Sequence, residues 1–401
     1  MRKGVIVLFL LTVVYFLSTC KQWFNAASDT VIHADYTRID LPKTGQTFCY
    51  NDVGGVIPCP ASGQDGEYQR GVQWPSPRFK DNRNGTITDR LTGLMWVKDG
   101  KLMVSRDPSF DTDSTANDGM VTWQHALDYV AKLNNEKYLG YSDWRLPNVN
   151  ELQSLVDYGQ SLPPGDWLNN QGFINIVSAG SYWSSSTVTR STNNAWFMNI
   201  GYFSLAYFGG KTSNSYLLPV RSGYGSAGAV NVLATGQTVC YNEGGSVIPC
   251  SGTGQDGEYR MGVKISGTRF TDNGDGTITD RLTGLMWEKA PTGSFTWVAA
   301  YTNRINNLNS TALGGYKDWR LPNVNELRSL VHFGQSAPGT WLNTQGFSGI
   351  QVGSADNYWT GSTHSVTSEL NRAWYVTFYH GGVDRIAKGG SNYVLAVRGG
   401  Q

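Results

Sequence analysis

A phrase of thirteen residues occurs twice in this chain, GYSDWRLPNVNEL at 140–152 and GYKDWRLPNVNEL at 315–327, differing only at Ser142 and Lys317. A chain that repeats itself this closely builds the same local structure twice, so its fold must be a pair of like units. Each phrase carries a helix start. Pro322 fixes its own φ and keeps Leu321 extended, Asn323 is placed to cap the next turn, and Glu326 can answer the cap's own N–H. Leu327, Leu330 and Val331 follow at the spacing of one helical face, with Gly334 as a stop. Asn148, Glu151, Leu152, Leu155, Val156 and Gly159 repeat the pattern.

The repetition extends well beyond this phrase. TGQTFCY is matched by TGQTVCY, GQDGEY recurs at Gly63 and Gly254, and NGTITDRLTGLMW from Asn84 is matched by DGTITDRLTGLMW from Asp275. The offset between copies is 191 at Asp89/Asp280 and 175 at Trp144/Trp319, which places sixteen extra residues of copy one within 98–120. The sequence therefore divides into copy one (43–223), a small uncharged linker (224–234) and copy two (235–401). With 401 residues, 16% charged and a net charge of +1, there is room for two cores and no electrostatic footprint of a nucleic-acid partner.

Residues 1–20 read as an export signal: Arg2 and Lys3 precede an apolar run at 5–17 that is too short for a comfortable membrane span. The run ends in Leu-Ser-Thr-Cys, which resembles the lipobox of bacterial lipoproteins and would make Cys20 a lipidated first residue. Ordinary secretion with cleavage near Ala27 or Ser28 is the alternative, with an uncleaved anchor behind both, and export is common to the first two readings. Residues 21–42 would then be a spacer.

The other four cysteines form two pairs at one spacing, Cys49 with Cys59 and Cys240 with Cys250, bracketing CYNDVGGVIPC and CYNEGGSVIPC. A Gly-Gly turn between short extended runs can close each pair as a disulfide-stapled hairpin, which requires an oxidising compartment. No CxxC spacing and no nearby histidine supports a metal instead. After the hairpin each copy reads as β through Trp96 or Trp287, with Asn-Gly, Asp-Gly and Thr-Gly turns. A helix capped by Thr122 or Thr296 follows, then the repeated phrase with its own helix, then strands at 358–362, 373–378 and 393–398 in copy two. Two helices per copy among mainly antiparallel short strands give an α+β fold.

The order DNGDGTITDRLTGLMW, helix, GYKDWRLPNVNEL, YWTGS, AWYVTF, AVRGG resembles the Lcl C-terminal domain family. That family takes its name from the end of a bacterial collagen-like adhesin that binds host glycosaminoglycans. The resemblance implies two tandem C-type-lectin-like domains in an exported bacterial protein. The WRLPN…EL and VRGG phrases are also similar to those of formylglycine-generating enzymes, which have a related fold. This chain has no Gly-X-Y stalk, so ligand specificity does not carry over from the adhesin.

Group by group, the polar residues favour structure over catalysis. Glu151 and Glu326 have a capping task, and Asp143 or Asp318 beside Trp-Arg reads as a buried-edge ion pair with Arg145 or Arg320. The five histidines have no counterparts between copies, and no nucleophile elbow occurs, so an enzyme is not expected. Calcium is the only cofactor that comes into view. The loop at Asn273, Asp275 and Gly276 resembles the middle of an EF-hand, yet Thr271 and Leu282 stand where two anchors belong, so a hairpin turn is preferred. Asp107, Asp111, Asp113 and Asp118 in the copy-one insertion read as a solvated loop before a second calcium site. No metal ligand is therefore assigned.

Sugars are held by aromatic faces with planar polar groups, and acidic sugars add Arg or Lys. Tyr375, Tyr379, His380, Arg385 and Lys388, around a Gly-Gly turn, are the candidate ligand residues in copy two, with Tyr202, Tyr207 and Lys211 in copy one. Trp96, Trp144, Trp183 and Trp196, matched by Trp287, Trp319, Trp359 and Trp374, read as core. The expectation is an exported surface or envelope protein, at the cell surface, outer membrane or periplasm, that binds a carbohydrate, a glycosaminoglycan-like polymer or an envelope protein. The alternatives are a docking module of a surface appendage and, behind it, an oxidase-like enzyme.

Overall fold

The computed structural model describes residues 38–111, 115, 118–200, 207–223, 228–264 and 267–400. The export signal with Cys20, the spacer before residue 38, His33 and part of the linker lie outside the described residues. The fold is α+β, built from small, mainly antiparallel sheets and short helices.

Each repeat holds a four-stranded antiparallel sheet whose last strand returns beside the third. In copy one these are Phe79–Asp81, Thr86–Asp89, Leu94–Val97 and Val220–Ser222; in copy two, Phe270–Asp272, Thr277–Asp280, Met286–Glu288 and Val397–Arg398. The expected hairpin turns form because Asn82 and Asn273 donate across them to Thr86 and Thr88, and to Thr277 and Thr279. A second sheet follows, with Ser181–Thr187, Asn194–Asn199 and Tyr207–Gly210 in copy one and Asn357–Thr363, Arg372–Thr377 and, at the edge, Val383–Ala387 in copy two. The stretch 393–398, expected as one strand, is broken. Asn392–Tyr393 joins the second sheet, partly in parallel, and Val397–Arg398 joins the first. Val394, Leu395 and Ala396 between them are fully buried, and their uninterrupted apolar character is what reads as a single strand.

The helix Trp123–Asn135 starts at Thr122 as expected, and both capping boxes form. The helices they start are shorter than their apolar pattern suggests, Val149–Ser154 and Val324–Arg328. Leu155, Val156, Leu330 and Val331 are buried beyond the helical ends. Gly159 and Gly334 are therefore not helix stops; a Cβ on either would lie 2.2 or 2.3 Å from the carbonyl oxygen of Gly45 or Gly236, which crosses there. A third helix in each repeat, Pro164–Asn170 and Pro338–Thr344, has proline in its first turn and was not expected from the glycine-rich sequence around it. The offset between copies is 174 at Trp123/Trp297, so copy one carries seventeen extra residues before this point and copy two carries one extra after it. That one residue sits in the long helix of copy two, which widens to a π-helix over Ala300–Ile305.

All eight paired tryptophans are buried. Trp144 and Trp319 are held through their backbone by Asn134 and Asn309, whose side-chain amides both accept from the tryptophan N–H and donate to its carbonyl.

The disulfides Cys49–Cys59 and Cys240–Cys250 close the two hairpins, each with a Cα–Cα separation of 5.2 Å. Each hairpin belongs to an arm that crosses to the other repeat. Ile39 N–H donates to Leu282 O of copy two at 2.8 Å, and Val230 N–H donates to Leu91 O of copy one at the same distance. Only the base of each arm stays with its own repeat, where Tyr158 N–H donates to Thr44 O. The described residues from 38 onward consequently form one compact unit.

Candidate functional site: the crossed arms and the groove between them

Three contacts, each made twice, fasten an arm to the opposite repeat. The first centres on a buried carboxyl. Asp65 Oδ2 accepts from the hydroxyls of Thr44 at 2.7 Å and of Ser362, in copy two, at 2.5 Å. Asp256 Oδ2 does the same with Thr235 at 2.7 Å and with Ser186 of copy one at 2.6 Å. Ser362 and Ser186 in turn accept the first helical N–H of the repeated phrase, from Val324 and Val149. Burial pushes both carboxyls up to about 6 against the hydroxyl bonds that lower them.

The second contact is a side-chain amide that imitates a strand edge. Gln46 accepts from Thr363 N–H at 3.0 Å and donates to Thr363 O, while Gln237 accepts from Thr187 N–H at 3.1 Å and donates to Thr187 O. The third is a lysine. Lys388 Nζ donates to Tyr50 O and Asn51 O and lies 4.3 Å from the centre of the Trp297 ring. Lys211 donates to Tyr241 O and Asn242 O, 4.2 Å from the Trp123 ring. Burial lowers both lysines to about 7.

The repeated phrase is the socket for these arms. Asn323 and Asn325 donate to Arg70 O and Pro42 O of arm one; Asn148 and Asn150 donate to Met261 O and Leu233 O of arm two. Glu326 completes the capping box and pairs bidentately with buried Arg320 at 2.6 and 2.7 Å, as Glu151 does with Arg145. The ion pair expected between Asp318 and Arg320 is not formed. Asp318 is mostly exposed and pairs with Arg398, and Asp143 pairs with Arg221, because the strand returning beside the first sheet brings those arginines to the edge.

A shallow groove runs between the two arms where they cross. Pseudo-equivalent residues face each other across it: Asn150 and Asn325, Gln153 and Arg328, Ser154 and Ser329. Trp74 and Lys43 add an indole and an ammonium, and no carboxylate is among the described residues lining it. Burial holds the Arg328 guanidinium below its ordinary value, against the buried Tyr158 hydroxyl beside it, which raises it. The groove therefore carries two cations and several amides. Its residues come from the end of each phrase and the residues just past it, from the arm bases, and from Leu91 and Thr92 of copy one. The only signal in sequence was Asn150 and Asn325, polar side chains just past a cap that do no capping.

The candidate ligand residues do not converge on one pocket. Lys388 is buried under the arm, as is Lys211, so neither is a surface cation. Tyr379 lies under Arg190 of copy one, 3.6 Å from its guanidinium carbon. His380 packs against Tyr379 and against Trp196 and Phe208 of copy one, and burial lowers it to about 4. Arg385 pairs with Glu369 and Asp384, and Tyr375 is half-buried on the neighbouring strand. Tyr202 lies outside the described residues, and of Tyr207 only the strand position is described.

The carboxylates weighed for calcium are engaged locally. Asp275 accepts from Thr277 twice, and Asp272 binds Gly274 N–H and Lys289. Asp107 pairs with Lys132 and Arg106, while Asp111 and Asp118 accept backbone N–H groups within the loop; Asp113 lies outside the described residues. No cluster of three metal-binding side chains occurs among the described residues.

Two α+β units that exchange disulfide-closed arms define a tandem-repeat protein fitted to an oxidising extracellular or periplasmic setting. The family model described as the Lcl C-terminal domain matches residues 85–221 and 276–398, and the chain belongs to this family in two tandem copies. Both arms lie outside the matched segments. No curated protein and no solved structure matches the chain. Among the described residues no helix is long and apolar enough to cross a membrane.

Proposed function

We propose that this is an exported, non-enzymatic binding protein of the bacterial surface or envelope, with lectin-like domains, whose ligand is a carbohydrate or related polymer bearing acidic groups. The carrying observation is the groove between the arms, where Arg328 and Lys43 face amides and the Trp74 indole with no lining carboxylate. An anion there would pair with a buried guanidinium, and an indole beside it suits a sugar ring. The adhesin after which the family is named supports the same class of ligand. The acidic and basic groups of the repeated phrase are engaged in caps and ion pairs, and the four hairpin cysteines are disulfides, which favours binding over an oxidase-like activity. A lipid anchor at Cys20 would place the protein on a membrane; metabolic labelling with a fatty acid analogue distinguishes this from simple secretion.

The test is retention of the mature protein on heparin and chondroitin sulfate at physiological salt. Arg328→Gln, which copies Gln153 of the other repeat, is expected to weaken binding at least tenfold. Binding to neither polymer, or binding that ignores Arg328, removes this reading. A docking role is favoured by one observation: Phe48, Val53, Val56 and Val247 of the hairpins are exposed. Stable co-purification with an envelope protein, lost on Val53→Ser with Val56→Ser, would select it.

A further inference from the structure

The two repeats differ where the long helix meets the opposite arm. In copy one a cleft opens between the helix Trp123–Asn135 and the hairpin of arm two. Its walls are Gln124, Asp128 and Asn135 on the helix and Tyr259 on the arm, with Leu127 as the apolar floor. In copy two the corresponding space is taken. The inserted residue widens the helix into its π-turn, Tyr301 stands where Leu127 does, and its ring comes within 2.9 Å of a Cβ placed on Gly63. The equivalent Cβ on Gly254 would meet Leu127 only at 3.5 Å. Val298 and Thr302 also replace Gln124 and Asp128, so the polar wall is lost together with the space.

We infer that this cleft of copy one is a second binding site, for a single uncharged sugar ring with vicinal hydroxyls. The chemistry of the walls selects that class. Tyr259 is 41% exposed and offers a ring face to the apolar face of a pyranose. Gln124 Nε2 donates to Asp128 Oδ1 at 2.9 Å, which orients the carboxylate and leaves Oδ2 and the glutamine carbonyl as paired acceptors for two hydroxyl donors. With Asp128 on the wall and no cation among its described lining residues, the cleft disfavours acidic sugars, the opposite of the groove between the arms. The site does not depend on the groove, and it exists only while arm two is docked on copy one.

Saturation-transfer NMR of the full mature chain with cellobiose, chitobiose and maltose tests this. At least one disaccharide should bind. Leu127→Tyr, which copies Tyr301, and Tyr259→Ala should each weaken that binding tenfold or more. Asp128→Thr, an exposed and fold-neutral change that copies Thr302, should do so as well, while Arg328→Gln leaves it unchanged. Transfer to none of the three, transfer unaffected by Asp128→Thr and Tyr259→Ala, or loss on Arg328→Gln would overturn the assignment. Because sulfated polymers are read separately through Arg328, either site can fail without the other.

Discussion

Asp65 and Asp256 are the residues on which the crossing of the arms is balanced. Each holds its proton to about 6, against 3.8 for an ordinary aspartate, because burial outweighs two hydroxyl bonds. The sign follows directly. Stability from the protonated form is complete below pH 4 and is lost as pH rises through 6. His364 and His380, lowered to about 3 and about 4, act in the opposite sense: their burial as neutral rings is undisturbed above pH 6.5 and stability is lost as pH falls below that. The two effects overlap between pH 4 and 6, so only a difference between variants isolates either one. Asp65→Asn with Asp256→Asn keeps the shape of the neutral acid. Denaturant titrations should show this variant gaining on the parent between pH 4 and 7, by on the order of 2–3 kcal/mol per site. Parallel profiles would mean that these carboxyls are not the buried acids described. No residue-level pattern in sequence marks Asp65 as buried, since DGEY reads as an exposed turn. Its burial comes from a strand that lies 297 residues further along the chain.

At the scale of elements, what was legible was what is local. The capping boxes use residues three apart, the hairpin turns use Asn and Asp within six, and each disulfide spans ten residues, so sequence alone locates them. The ends of the elements were not legible, because tertiary packing decides them. Leu330 and Val331 are core residues whether or not the helix continues, and Val394–Ala396 is apolar on both faces as it passes between two sheets. The partner of Arg320 differs from expectation for a similar reason: sequence adjacency favours Asp318, while helix geometry delivers Glu326. The two carboxylates should therefore differ in consequence. Glu326→Gln strands a buried guanidinium and should cost about 3–5 kcal/mol in urea unfolding, whereas Asp318→Asn, at an exposed pair, should cost about 1 kcal/mol or less. Equal costs would contradict the capping-box ion pair.

For the whole molecule, the duplication was plain in sequence and the crossing of the arms was hidden by it. Ser186 and Ser362, Thr187 and Thr363, and Lys211 and Lys388 are the same residues in the two repeats, so an arm carrying Asp65, Gln46 and Tyr50 finds an identical socket on either. Only the fold tells which one it occupies. The crossing has two consequences that side-by-side repeats would lack: the groove carrying Arg328 lies between the arms, and the cleft beside Tyr259 needs one repeat's arm on the other's helix. A double-mutant cycle reads the crossing most directly. Asp65→Ala paired with Ser362→Ala should show a coupling of about 1–3 kcal/mol, since they share a hydrogen bond to a buried acid. Asp65→Ala paired with Ser186→Ala, the same serine on the arm's own repeat, should be additive within about 0.5 kcal/mol. Coupling of Asp65 to Ser186, and none to Ser362, would contradict the crossed arrangement.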